Sequence, residues 1–107
     1  MSGPTHQLVI QFPESAFPDF DELVGYEDVL IDTLGDAHEV DGHDIGSGEV
    51  NFFVFTDDPT GALGTMRDAR SGALLSHPEV RVAARLIEGE DFELLWPIGD
   101  ERAFTVV

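Results

Sequence analysis

Leu8, Ile10 and Phe12 alternate with Gln7, Val9 and Gln11, the period of two that marks a strand with one well-buried face. Pro13 ends it. Asp19 then reads as a helix N-cap with Glu22 in the capping-box position. The helix that follows sets Phe20, Leu23, Val24, Leu30, Ile31 and Leu34 on or near one stripe, and Gly35 closes it. Gly25 inside it costs about 1 kcal/mol relative to alanine, so an irregular first turn is expected. Ala37 to Asp41 reads as a short second strand, Gly42 to Gly48 as a turn, and Glu49 to Thr56 as a strongly β-prone third strand. Asp58 followed by Pro59 starts a second helix that carries Leu63, Met66 and Ala69 and fades near Ser71-Gly72. His77-Pro78 marks a break. Val80 to Ile87 and Phe92 to Ile98 are two more strands joined by a turn at Glu88-Gly89-Glu90-Asp91. Arg102 to Val107 is a last short strand or a frayed end.

This order, β-α-β-β-α-β-β, predicts a ferredoxin-like α+β sandwich with an antiparallel sheet and both helices on one face. The first and third strands are central in that arrangement, and they are the most apolar. No linker, repeat or low-complexity tract divides the chain, so residues 1–107 read as one domain, with 1–5 as a disordered lead-in.

Charge sharpens the picture. The chain has 22 acidic residues against 5 basic ones and a formal net charge of -17. Every basic residue is an arginine: Arg67, Arg70, Arg81, Arg85 and Arg102. Such a surface repels phosphate backbones and anionic lipid, which disfavours nucleic acid and membranes as partners. It suits a basic protein, a cation or a high-salt cytoplasm, and equally suits plain solubility. Absence of cysteine removes disulfide, thiolate-metal and cysteine-nucleophile chemistry. Met1 to His6 lacks the basic start and apolar run of a signal peptide, so a cytoplasmic location is expected.

Candidate chemistry gathers in Glu39 to Glu49, where carboxylates, an imidazole and three glycines precede the third strand. His38, Asp41, His43, Asp44 and Glu49 offer ligands for a cation, but their spacing matches no metal motif with a defined geometry. The competing reading is a polar turn in which aspartates cap amides and glycines take positive φ. It prevails, and neither metal nor cofactor is expected. Asp57-Asp58 resembles a carboxylate pair but is better read as a helix cap. Ser47 lacks the spacing of a hydrolase elbow, and no phosphate-binding glycine loop occurs. His6 and His77 read as solvated.

The sheet face turned away from the helices is the remaining candidate. Alternation sets Phe53 and Phe55 there with Asn51, and two exposed phenylalanines need a cover. A second copy of the chain is the leading cover; a partner protein and the chain's own end are the others. Arg81 and Arg85 share one face of the fourth strand, where they bind an acid or pair with local carboxylates.

The stretch Val40-Asp41-Gly42-His43-Asp44-Ile45-Gly46-Ser47-Gly48-Glu49, its continuation Asn51-Phe52-Phe53-Val54-Phe55-Thr56-Asp57-Asp58-Pro59 and a late Leu94-Leu95-Trp96-Pro97 resemble a group of small bacterial proteins of unassigned function. The resemblance implies a ferredoxin-like fold and supplies no reaction. Taken together, the residues point to a non-enzymatic acidic protein acting by contact, such as an inhibitor or immunity-type partner of a basic protein. Asp41, His43, Asp44, Glu49, Phe53, Phe55, Arg81 and Arg85 are its candidate binding residues. The alternative is a small-molecule binder or enzyme using a cavity at a dimeric sheet interface.

Overall fold

The computed structural model describes residues 4–35, 38–69, 74–97, 99, 104 and 106. Strand β1 (His6–Pro13) leads through a short 3-10 turn (Glu14–Ala16) into helix α1 (Phe20–Leu34). Strands β2 (Glu39–Gly46) and β3 (Glu49–Thr56) form a hairpin. Helix α2 (Pro59–Asp68) follows, then β4 (Arg81–Leu86) and β5 (Glu93–Trp96). All neighbours in the five-stranded sheet are antiparallel, in the order β2-β3-β1-β4-β5. The most apolar strands therefore lie inside the sheet, as expected.

Both helices begin where aspartate meets an orphan amide. Asp19 Oδ1 accepts from Glu22 N at 2.9 Å, and Asp58 Oδ1 accepts from Gly61 N at 3.0 Å. A side chain at Gly61 would collide with the Asp58 carboxylate, so glycine permits this cap. Gly25 leaves α1 unbroken.

One core joins the two layers. Leu8, Ile10 and Phe12 of β1, with Val50, Phe52 and Val54 of β3, meet Leu23, Leu30 and Leu34 of α1 and Ala62, Leu63 and Met66 of α2. Each such large side chain withdrawn from water contributes about 1.5–3 kcal/mol before entropy is counted. The buried stripe of α1 is narrower than its apolar residues suggest. Phe20 and Ile31 stay 60% and 46% exposed, and Tyr26 packs against the core instead.

The boundaries of three strands differ from expectation. Gly42 to Gly46 belong to β2, and the turn shrinks to Ser47-Gly48, with φ of 54° and 80°. Two successive residues at positive φ match the right-handed twist of a hairpin, which Ser-Gly satisfies at the second position without strain. Gly42, at φ 156°, sits instead at the bulge between Val40 and Gly42. The last two strands are also shorter than expected. Ala37, Ser71, Gly72 and most of Arg102 to Val107 lie outside the described residues, as do residues 1–3 of the expected lead-in. Thr5, counted in that lead-in, donates its N–H to Thr56 O at 3.2 Å and accepts from Ile87 N at 3.0 Å. No helix among the described residues is long and apolar enough to cross a membrane.

Candidate functional site

Strand geometry disperses the acidic segment. His43 stands opposite Phe52 and so faces the helices, whereas Asp44 stands opposite Asn51 and faces away. His43 Nδ1 lies 3.0 Å from Glu27 Oε2, which ties β2 to α1. His38 Nδ1 lies 2.6 Å from Thr56 Oγ1, and that hydroxyl also accepts from Asp58 N at 2.9 Å. Asp41 is exposed at the bulge. Among the described residues no three of His, Asp and Glu converge, so the five candidate ligands do not share a site. The polar turn expected over Gly42 to Gly48 is instead mostly strand, because β2 runs to Gly46 and pairs with β3.

His77 is engaged as well, contrary to its reading as solvated. Its Nδ1 accepts from Glu79 N at 3.0 Å, and its ring lies 5.9 Å from that of Phe12.

The sheet face away from the helices carries more of the expected residues. One row of it runs Asp44, Asn51, Gln11, Arg81 across four strands in register. Gln11 Nε2 donates to Asn51 Oδ1 at 3.0 Å, and both residues are buried. Asn51 Nδ2 is a buried donor that has no partner among the described residues, and such a group normally costs about 1–3 kcal/mol. Val9 and Ala83 on this face are fully buried, and Phe53 and Phe55, for which a cover was expected, are half-buried. Phe53 stands opposite Gly42, which brings no side chain to compete for the face.

The chain's own end contributes cover at the β4 side. Phe104 lies 5.3 Å from the Arg81 guanidinium and 5.2 Å from the ring of Phe92, which in turn lies 5.9 Å from the Arg85 guanidinium. Among the described residues Arg85 forms no ion pair with a carboxylate. Its Nη1 donates to the carbonyls of Leu86, Ile87 and Gly89 at 2.9–3.2 Å, and its Nε to Gln7 Oε1 at 3.0 Å. Sequence reasoning missed this clasp, because its acceptors are carbonyls that no residue type announces.

Three of the clefts bordered by the described residues flank these elements. One of about 430 Å³ lies between the start of α2 and the β4–β5 connection, bordered by His6, Arg85, Glu90 and Glu93. A second of about 340 Å³ brings together Gln11, Glu49, Glu79 and Arg81, uniting two expected binding residues. The third, about 190 Å³, is a groove between the start of α1 and β2, lined by Glu14, Phe17, Asp19, Phe20, Leu23 and Ile45. Phe20 and Ile45 were not among the expected site residues, although their apolar type at an edge was the available signal.

No family model matches the chain, and neither the curated proteins nor the solved structures compared with it give a match.

Proposed function

We propose that this chain is an acidic cytoplasmic protein that acts by contact with a basic protein, in the manner of an inhibitor or immunity-type partner. The observation that carries the reading is the division of charge. Arg85 is turned onto backbone carbonyls and Arg81 is covered by Phe104, while Glu14, Asp19, Asp41, Asp44 and Asp58 face solvent. With a net charge of -17, the outer surface then carries a negative potential that steers a basic partner and disfavours acidic ones. The strand order, with a split βαβ in each half, suits a ferredoxin-like sandwich extended by β5, a frame that hosts many binding functions.

Binding of a small molecule at a dimeric interface draws on one observation, the buried Asn51 amide, which has no partner among the described residues and lies on the same sheet face as the half-buried Phe53 and Phe55. It remains second because the Arg81 and Arg85 side chains that would hold an acid there are engaged within the chain. Affinity capture with the purified chain tests the leading reading. Basic proteins should be retained at low salt and released as salt rises toward 0.5 M (about a 4 Å screening length). Retention that ignores salt, or of acidic proteins, would overturn it.

A further inference from the structure

The outer side of β2 is a sheet edge, since among the described residues no strand pairs with it. Its first half is blunted by the bulge at Val40/Gly42 and by Glu39 and Asp41, devices that protect edges from chance pairing. Its second half, from His43 to Gly46, is regular. Beside this half, on the helix side, lies the groove of about 190 Å³. Phe20 overhangs the edge from the start of α1, its ring 6.0 Å from that of His43. Ile45 projects from the strand itself, 47% exposed. The pair of His43 and Glu27 backs the edge from behind at 3.0 Å and holds it against the helix.

We infer that the His43–Gly46 edge and the Phe20–Ile45 groove together dock an extended basic segment of a partner protein, added as a sixth strand. This rests on the contact reading above and names the surface that performs it. Strand addition satisfies the open amides and carbonyls, and alternate side chains supply specificity. A strand placed beyond β2 at the usual spacing of about 4.8 Å sends every second side chain to the helix side, where Phe20 and Ile45 form an apolar seat. Groove volume suits one anchoring side chain and falls below the roughly 300–1,000 Å³ of small-molecule pockets.

Charge selects the occupant. Glu14 and Asp19 line the groove, Asp21 and Glu22 stand exposed on the first turn of α1, and Asp44 faces the other side of the added strand. A second copy would bring the same carboxylates against these. The chain's own end is placed elsewhere, with Phe104 over Arg81 of β4. The segment that fits alternates apolar residues with lysine or arginine.

A synthetic octapeptide alternating leucine with lysine is the probe, titrated into the intact ¹⁵N-labelled chain at low salt. Expected are slowed amide exchange and shifts centred on residues 43–46. Phe20→Ser and Ile45→Thr, both at exposed positions, should each weaken binding roughly tenfold, the scale of an anchor residue. Methylating alternate peptide amides, which removes strand donors and keeps the charge, should weaken it at least as much. Equal binding by the methylated peptide, or shifts scattered over the acidic surface without protection at 43–46, overturns the inference. Polylysine serves as a separate arm. If it binds while the octapeptide shows no preference for β2, strand addition fails and the contact reading stands; if neither binds, both fail.

Discussion

Tyr26 shows how one buried group sets a pH limit on the fold. Its ring lies 4.8–5.7 Å from those of Phe12, Phe17 and Phe52, and its hydroxyl donates to Leu74 O at 3.1 Å. Burial disfavours the phenolate and pushes the group well above its ordinary value of 10.0. An unfolded tyrosine therefore releases its proton near pH 10.0 while the folded one keeps it. Above that pH the unfolded state binds fewer protons, so stability falls as pH rises. The chain contains a single tyrosine and neither lysine nor cysteine, so no other side chain titrates in this range. Tyr26→Phe should lose about 1 kcal/mol at neutral pH with its hydrogen bond, yet flatten the decline between about pH 9 and 11. Urea unfolding across that range checks both, and an unchanged slope would assign the alkaline limb to something else.

Hairpins carry a different lesson. The β2–β3 turn closes through backbone geometry at Ser47-Gly48, whereas the β4–β5 connection depends on a side chain that reaches over it. Arg85 holds three carbonyls from one nitrogen while its Nε engages Gln7 on the neighbouring strand. A planar fork fixes these donors together, and an ammonium does not. Arg85→Lys should accordingly cost about 1–2 kcal/mol despite conserving charge. Faster amide exchange at residues 87 and 89 should accompany the loss. A variant as stable as the parent would mean that charge alone matters at this position.

Across the molecule, acid and exposed apolar surface oppose each other. Phe53 and Phe55 remain half-buried on a face where Phe104 covers only the Arg81 side. A fully exposed side chain of that size forgoes about 1.5–3 kcal/mol, and the uncovered fraction gives a second copy a weak reason to associate. Like charge resists it, and salt screens that resistance. Sedimentation should show a dimer that strengthens as salt is raised, and Phe53→Ser should abolish it. Binding of a basic partner has the opposite salt dependence, so the two contacts separate in one series. A monomer at every salt and protein concentration would leave the face to the chain's own end.

Local chemistry was enough to place the helices and the sheet. Asp19 and Asp58 mark helix starts because a carboxylate beside an orphan amide acts within three residues, and alternation in β1 and β3 records burial one residue at a time. The net charge of -17 needed no structure either. Other features depend on residues distant in sequence. Gly42 to Gly46 looked like a turn, since glycine and aspartate favour turns locally, but pairing with β3 holds them extended. Gln11 meets Asn51, Arg85 meets Gln7, and Glu27 meets His43 only once the strands and α1 are stacked. The groove beside β2 arises in the same way. Phe20 belongs by type to a buried stripe, and only the packing angle of α1 leaves it over an open edge, beside Ile45.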